Sequence, residues 1–497
     1  MVSIPKPPPS STTKVSAARI SRLTALFFVC LALSHATTAT PATFPDADTR
    51  SAEAATLTNQ QQKQVQGILL YEDGKAYDYC EANYPTDDTY PAPPVEGATL
   101  TNVQLFIRHG DRTSQSFYKV DHQVTFECSK HLQYNSFTSP SSSSSSSSPS
   151  KPFYNATLIA NQIIAIPQDS PFGQSIWKGS CIPGQLTPKG AEQHERLGRA
   201  LREIYVDGRW KILPNEFQQD KVFVRSTDYW RTRQSATSLL TGLYGSNKQP
   251  PHIQLTTLPV ELEFLVFNER GQCPRISQLK AQIAKTSPVL QKLYKSYAQP
   301  IQDASKIINP PKVLSFDQVY DFVFPRVCHQ LPMPCIQDGE GKDRCVDEQA
   351  VTKVLATYRN TETAEMFRDA PLSFELLKIG FGPVAAMVRK NILQAKEGVK
   401  GQAAFSLYSG HDTTLVPLLG VLDSLDMRWP PYMSNILFEL WETPSSESYI
   451  RVIYNNKIVT TKSNWCDLSW CPLQTFLAHL EKFLPGEDYI EKCQALP

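Results

Sequence analysis

A histidine between two arginines follows the first strongly apolar run of the chain, residues 103–107. The motif contains Arg108, His109, Gly110 and Arg112. A guanidinium group offers a fork of donors that matches phosphate oxygens, and its positive field favours the neutral, nucleophilic form of a neighbouring imidazole. Gly110 leaves room for a close approach of the backbone. The motif therefore predicts an anion site beside a nucleophilic histidine, although a lone Arg-His-Gly tripeptide also fits a solvated basic turn.

A second histidine, His411, is followed directly by Asp412 after another apolar run, residues 405–408. Both residues fall at the start of a predicted helix, where anions are favoured. The charge of a bound phosphate raises the pKa of a neighbouring carboxyl group, and a protonated carboxyl group suits a general acid. The alternative interpretation is an aspartate that caps a helix beside a core histidine.

A third polar segment, residues 225–232, follows the apolar run at 222–224 and contains Arg231. Seen alone, its serine, threonine and aspartate residues fit a helix start with side-chain capping. Together, the three segments supply a nucleophile, several cations, a second imidazole and an acid, each at the end of a strand. This combination favours one anion-binding catalytic site over three separate structural motifs.

The three apolar runs have the length of strands and alternate with helical patterns. Thr187 and Pro188 mark a helix start between the first two runs. Strands that alternate with helices predict an α/β fold with helices on both faces of the sheet. In such folds the active site lies beyond the carboxyl ends of the strands, and the polar residues of all three segments fall there.

Strand-like runs near the C-terminus have the spacing of hairpins, with Asn455-Asn456 as one turn, and they predict a mixed sheet. These runs cover residues 436–441, 449–454 and 457–460. Residues 262–400 show helical periodicity interrupted by prolines and are predicted to form a mainly helical cap. We assign the α/β core to residues 100–261 and 401–497.

The N-terminus has the pattern of a targeting segment. Basic residues precede an apolar run from Leu23 to Leu33, and Ser34 and Ala36 are the small residues of a cleavage site. The run is shorter than the about 20 residues that a spanning helix needs. The sequence therefore predicts a signal peptide over residues 1–36, with a signal anchor as the alternative, followed by a partly disordered extension over residues 37–99.

A serine tract marks a low-complexity insertion over residues 138–152, which we expect at the solvated surface. Cys128 and Cys181 flank this insertion, and a bond between them is one way to close its base. Asn155 begins an Asn-Ala-Thr sequon, so it is a predicted glycosylation site on an exposed loop.

Composition limits the class of protein. With 41% hydrophobic residues and 20% charged residues the chain can build a core, which excludes global disorder. Lys and Arg total 49 against 48 Asp and Glu, whereas a general nucleic-acid binder needs a basic excess. Of the 11 cysteines, only Cys30 lies in the predicted signal, and the even remainder is typical of disulfides in an exported protein.

The three segments together resemble the signatures of the histidine acid phosphatase family, which is branch 2 of the histidine phosphatase superfamily. The Arg-His-Gly-Asp-Arg motif and the later His-Asp pair match, and residues 184–190 resemble the segment before the family's first long helix. The resemblance covers about residues 100–497. It implies a mixed central sheet flanked by helices, similar to phosphoglycerate mutase, with a mostly helical cap domain.

The resemblance also implies a role for each matching residue. His109 is the nucleophile that forms a phosphohistidine, and Asp412 protonates the leaving group. The remaining basic residues of the motifs bind the phosphoryl oxygens: Arg108, Arg112, Arg231 and His411. No metal and no cofactor is implied, because these residues supply the charge stabilisation. A protonated Asp412 implies a preference for acidic pH.

Two disulfides follow from the same resemblance, one long-range and one local: Cys273 with Cys493, and Cys466 with Cys471. One position departs from the family pattern, because Asn435 stands where some members carry a cysteine. Cys328 must therefore pair differently, and Cys335 or Cys345 is a candidate partner.

These features predict a secreted acid phosphatase that hydrolyses small-molecule phosphate monoesters, located outside the cell or in a secretory-pathway or vacuolar lumen. Thr413 and Thr414 follow the His-Asp pair where phytases carry asparagine, and the segment around Tyr79 resembles phosphosugar phosphatases, so the substrate stays open. The alternatives are a catalytically silent binding protein on the same fold and an intracellular mutase. We expect no nucleic-acid partner and no membrane span after signal cleavage, and a homodimer is left open.

Overall fold

The computed structural model describes residues 78–128, 134–136, 160–162, 177–245, 253–267, 273–309 and 312–495. The predicted signal peptide, the serine-rich insertion at 138–152 and the sequon at Asn155 lie outside these residues, as does the extension before residue 78. Among the described residues no single helix is long and apolar enough to cross a membrane. One pair of helices, bent by 86° between Asp369 and Ser373, passes the same test only when it is taken together.

The strands, in chain order, are β1 (Thr99–Arg108), β2 (Thr125–Phe126), β3 (Tyr134–Ser136), β4 (Ala160–Gln162), β5 (Lys178–Gly179), β6 (Val222–Ser226), β7 (Leu255–Thr256), β8 (Cys335–Gln337), β9 (Asp343–Cys345), β10 (Phe405–Gly410), β11 (Asn435–Glu442), β12 (Ser448–Tyr454), β13 (Lys457–Ile458) and β14 (Cys471–Pro472).

The α-helices are α1 (Pro188–Arg202), α2 (Trp230–Tyr244), α3 (Pro274–Thr286), α4 (Pro288–Ile308), α5 (Phe316–Cys328), α6 (Glu348–Ala364), α7 (Ser373–Lys396), α8 (Asp412–Val421), α9 (Leu473–Glu481) and α10 (Tyr489–Gln494). A 3₁₀ turn covers Lys119–Gln123, and π-helical segments cover Glu203–Asp207 and Glu365–Asp369.

The central sheet is mixed, as the sequence predicts. Its strand order is β13-β12-β11-β1-β10-β6-β7, and β14 also pairs with β12. The pairs β1–β10, β10–β6 and β6–β7 are parallel, whereas β1–β11 and β11–β12 are antiparallel. The three strands that carry the sequence motifs are therefore parallel neighbours, and their carboxyl ends meet at one edge of the sheet.

Helices cover both faces of the sheet, which confirms the predicted fold class. Alternate residues of β1 point to opposite faces. Val103 and Leu105 join a buried cluster with α1 and α2, whereas Phe106 joins a second cluster with α3, α7, α8 and α9. The central strands are apolar on both faces because both faces are buried.

Thr187 begins α1 as predicted. Its side chain accepts a hydrogen bond from the amide of Gly190, and Pro188 occupies the first helical position. This cap satisfies an amide that otherwise has no partner in the first turn. The same hydroxyl group donates to a carboxylate oxygen of Asp111 at 2.5 Å, so the start of α1 is fixed to the loop that follows β1.

Helices α3 to α7 occupy most of the segment between residues 274 and 396, where the sequence predicts a helical cap. Helices α3 and α7 share a buried cluster with the sheet, and α4, α5 and α6 share a different cluster with Tyr79 and Cys80. The division into a core and a cap at residues 262 and 400 stays a prediction.

Five disulfides join the described cysteines: Cys80–Cys328, Cys128–Cys181, Cys273–Cys493, Cys335–Cys345 and Cys466–Cys471. They include both pairs that the family resemblance implies and the pair that flanks the insertion. The candidate partners of Cys328 need correction, because Cys335 and Cys345 bond to each other across the β8–β9 hairpin. Cys328 instead bonds to Cys80, 248 residues away in the sequence.

Candidate active site

The strand register brings the two histidine motifs together. Arg108 pairs with Gly410 at the parallel ends of β1 and β10, so His109 and His411 follow at the same level. Their ring centroids lie 5.6 Å apart. Ser409 pairs with Ser226 of β6, which brings the third polar segment beside them. All three predicted motifs therefore meet at one edge of the sheet.

Short backbone contacts fix the loop that carries His109. The amide of His109 donates to the carbonyl of Gly410 at 3.0 Å, and the amide of Gly110 donates to the hydroxyl of Ser235 at 3.1 Å. A Cβ atom on Gly110 would lie 2.3 Å from the carbonyl oxygen of Gly190, which no side chain tolerates. The close backbone approach predicted at Gly110 is confirmed.

One hydrogen bond decides the tautomer of His109. Its Nδ1 atom lies 2.8 Å from the carbonyl oxygen of Gly110. A carbonyl oxygen only accepts, so Nδ1 carries the proton and Nε2 keeps its lone pair. Burial, followed by the charges of Arg231 and Arg108, holds the pKa of His109 well below its usual range. The imidazole is therefore neutral and basic at Nε2 through the acidic pH range.

Arg108 is buried at the floor of the site. Its Nη1 atom donates to the carbonyl of Pro430 at 2.5 Å, and Nη2 lies 2.8 Å from both the Tyr79 hydroxyl and the Asp412 carboxylate. Its guanidinium carbon also lies 4.5 Å from the ring centroid of Tyr432. These contacts fix the direction of the guanidinium group before any ligand binds.

Arg112 and Arg231 complete the set of cations. Nη1 of Arg112 lies 2.7 Å from a carboxylate oxygen of Asp321. Arg231 lies over the ring of Tyr229 and places Nη2 3.5 Å from Nδ1 of His411. Burial, followed by the charge of Arg112, lowers the pKa of Arg231 to about 10. All three arginines remain charged at acidic and neutral pH.

His411 and Asp412 lie at the start of α8. His411 occupies the N-cap position and Asp412 the first helical position, so the alternative of a capping aspartate is wrong. Nε2 of His411 lies 2.9 Å from the hydroxyl of Thr227. Burial, followed by the charge of Arg231, holds the pKa of His411 well below its usual range.

The pKa of Asp412 is lowered in the free site. Burial opposes ionisation of this carboxyl group, but the charge of Arg108, with His411 and Arg112, outweighs burial. The sequence argument for a raised pKa concerns the site with phosphate bound. The two statements are compatible because a bound phosphate draws on the same arginines and adds negative charge beside Asp412.

The structure also separates residues that the sequence groups together. Arg225 does not join the site, since its guanidinium group pairs with Glu263 at 2.7 Å. Helix α2 begins at Trp230 without a side-chain cap, so the capping alternative for this segment is wrong. Asp321 contacts the site from a helix more than 200 residues beyond Arg112, and no local sequence pattern marks it.

The geometry suits an anion with several oxygens. The Nε atoms of Arg108, Arg112 and Arg231 are buried and have no hydrogen-bond partner among the described residues. Such donors are costly unless a ligand or water satisfies them. Within the described part of the chain, no group of three or more histidine, cysteine, aspartate or glutamate side chains is arranged to hold a metal ion.

Comparison with known proteins agrees with this geometry. The model for the histidine phosphatase superfamily, branch 2, matches residues 99–335 and 349–455. The fold and the site define a phosphate-ester hydrolase of the acid phosphatase class. The chain belongs to branch 2 of the histidine phosphatase superfamily.

Several curated relatives are similar over most of the chain. Counting factor 60 of Dictyostelium discoideum is 27% identical over 424 residues, which cover 84% of this chain and 92% of that protein. 2-Phosphoxylose phosphatase 1 of Homo sapiens is 27% identical over 441 residues, 79% of this chain and 81% of that protein. Lysophosphatidic acid phosphatase type 6 of Homo sapiens is 28% identical over 336 residues, 66% of this chain and 73% of that protein.

The lowered pKa of Asp412 predicts that binding of inorganic phosphate is coupled to proton uptake by this carboxyl group. Titration calorimetry near pH 5 in buffers of different ionisation enthalpy measures the uptake. The wild type should take up more protons per phosphate than Asp412→Asn, because only the wild type can protonate the carboxyl group. Equal uptake by the two proteins would contradict a raised pKa in the complex.

Proposed function

We propose that this enzyme hydrolyses phosphate monoesters through a covalent intermediate on Nε2 of His109. The observation that carries the proposal is the 2.8 Å hydrogen bond from Nδ1 of His109 to the Gly110 carbonyl. It leaves Nε2 as a free base beside Arg108, Arg112 and Arg231, whose charges act on this ring. A nucleophile therefore stands next to the groups that hold its electrophile.

In the first step, the lone pair of His109 Nε2 forms a bond to phosphorus while the ester oxygen–phosphorus bond breaks. The electron pair of that bond leaves with the ester oxygen, which takes a proton from Asp412. The guanidinium groups stabilise charge on the nonbridging oxygens in the transition state. Arg108 contacts Asp412 at 2.8 Å, so the acid and one oxygen-binding cation share a single position.

In the second step, a water molecule attacks phosphorus and displaces Nε2 of His109. The Asp412 carboxylate accepts the proton from this water, which returns both side chains to their starting states. Inorganic phosphate then leaves. Asp412 acts as acid and then as base, so the cycle balances without a further proton donor.

Acidic conditions favour the first step, because Asp412 must be protonated in the complex with substrate. Above the pKa that this group has in the complex, the fraction of protonated Asp412 and the rate of transfer to poor leaving groups both fall. His109 does not limit the acidic side in the same range, since its pKa is held well below the usual value. We also propose that the enzyme needs no metal ion, because three arginines supply the positive charge.

The substrates that we propose are small esters with one phosphate group. 2-Phosphoxylose phosphatase 1 and lysophosphatidic acid phosphatase type 6 carry such substrates in their names. The N-terminal sequence pattern and the five disulfides support an oxidising location, either secreted or in a secretory-pathway lumen. A catalytically silent binding protein is disfavoured by the complete set of catalytic groups around His109.

Substitution of His109 tests the nucleophile. His109→Ala should lower p-nitrophenyl phosphate hydrolysis by roughly 10³-fold or more, because the covalent route is lost. Initial rates at acidic pH with EDTA present measure the effect and test metal independence in the wild type. The control is His479→Ala, which removes a buried imidazole that contacts Val421 and Trp465 far along the chain. Near-wild-type activity of His109→Ala would contradict the proposal.

Substitution of Asp412 tests the acid. Asp412→Asn should slow esters with poor leaving groups, such as glycerol 2-phosphate, far more than p-nitrophenyl phosphate, because only poor leaving groups need a proton. The readout is kcat/KM for a series of esters plotted against the pKa of the leaving alcohol. A steeper dependence in the variant is expected. Equal losses across the series would show that Asp412 has another role.

A further inference from the structure

Asp321 of α5 makes three contacts with the loop that follows His109. Its Oδ1 atom lies 2.7 Å from Nη1 of Arg112, and its Oδ2 atom accepts a hydrogen bond from the amide of Gln115 at 2.6 Å. Its backbone carbonyl accepts the hydroxyl proton of Ser114 at 2.9 Å. One residue of a distant helix therefore fixes both the loop and the direction of an oxygen-binding arginine.

Asp321 lies where the site opens to solvent. The side chains of Arg112 and Asp321 are 9% and 13% exposed, and Gln115 beside them is exposed, whereas the side chain of Arg108 is only 1% exposed. A phosphoryl group bound between the arginines thus has the Asp412 carboxylate beside Arg108 at the floor. The Asp321 carboxylate stands on the side from which the rest of the substrate extends.

The charges of the site nearly cancel. Arg108 pairs with Asp412 and Arg112 pairs with Asp321, while Arg231 makes no ion pair among the described residues. With both histidines neutral, the three guanidinium groups exceed the two carboxylates by about one positive charge. This excess matches one phosphoryl group and leaves no surplus for a second.

Nearby basic side chains do not supply an additional cation. Arg225, at the end of β6, pairs with Glu263 at 2.7 Å. On the helix of Asp321, Arg326 pairs with Asp121. Lys189, at the start of α1, donates to the carbonyl of Cys328 at 2.8 Å. A second phosphate on the substrate would therefore meet the Asp321 carboxylate without an unpaired cation to offset it.

We propose that Asp321 is a positioning and specificity-determining residue. It aims Arg112 at the transferred phosphoryl group, and its negative charge disfavours esters that carry a second phosphate. The preferred substrates are then esters of uncharged alcohols, such as sugars or polyols with a single phosphate. This inference rests on the proposed function, since it concerns selection by the same site.

Competition assays test the proposal, with p-nitrophenyl phosphate as the reporter substrate. Fructose 6-phosphate and fructose 1,6-bisphosphate compete for the site whether or not they are hydrolysed, and their inhibition constants differ by the effect of one phosphate. The wild type should bind the bisphosphate more weakly than its charge alone would suggest. Asp321→Asn keeps the shape and removes the charge, so the ratio of the two constants should shift towards the bisphosphate by roughly three- to tenfold.

Matched variants separate charge at this position from a general effect. Asp317→Asn removes the same charge from the first turn of the same helix, where Asp317 pairs with Arg359, and should leave the ratio unchanged. Asp321→Glu keeps the charge and should also keep the wild-type ratio. Asp321→Ser is a second uncharged variant in case the asparagine variant does not fold.

The outcomes are distinct. A shift in both uncharged variants, absent in Asp317→Asn, supports the inference, and an unchanged ratio in a folded, active uncharged variant overturns it. Loss of arginine positioning alone would weaken both inhibitors equally and would also leave the ratio unchanged. A wild-type protein that does not hydrolyse p-nitrophenyl phosphate would instead overturn the proposed function.

Discussion

A neutral imidazole among three buried guanidinium groups is the arrangement on which the rest of the structure depends. Burial and positive charge both oppose protonation of His109, so the ring keeps a lone pair at pH values where a free histidine would lose it. The same field that keeps the ring neutral also binds a phosphate ester. Two carboxylates, Asp412 and Asp321, offset part of the repulsion among the arginines.

This arrangement requires a rigid frame, and the frame comes from several distant parts of the chain. Asp111, next to the nucleophile loop, accepts hydrogen bonds from Thr187 and His329 at 2.5 Å each. Its amide donates to the side chain of Gln193 at 2.9 Å. Close contact of Gly110 with the start of α1 completes the support. A small shift of either helix would move Nε2 of His109 away from the phosphoryl group.

The sequence predicts the parts of the site that depend on local pattern. Strands of apolar residues followed by polar residues identify His109, Arg231 and His411, because parallel strands bring their carboxyl ends to one edge. The helix start at Thr187 follows from capping chemistry, which acts within a few residues. The predicted mixed sheet with helices on both faces is confirmed for the same reason.

Long-range contacts could not be predicted in this way. The bond between Cys80 and Cys328 joins residues 248 positions apart, and sequence alone does not fix disulfide connectivity. Asp321 lies in a helix whose own pattern is that of a capped amphipathic helix, and its role arises only when α5 packs against the loop after β1. The direction of Arg225 away from the site likewise depends on Glu263, a partner that no motif indicates.

The most direct test of the central claim is to trap the covalent intermediate. Wild-type enzyme is mixed with labelled substrate, quenched within milliseconds in alkaline denaturant, where a phosphorus–nitrogen bond survives, and digested for mass spectrometry. We predict a phosphoryl group on the peptide that contains His109, attached at Nε2 and lost on mild acid treatment. A label that resists acid, or one that lies on a different side chain, would contradict the account.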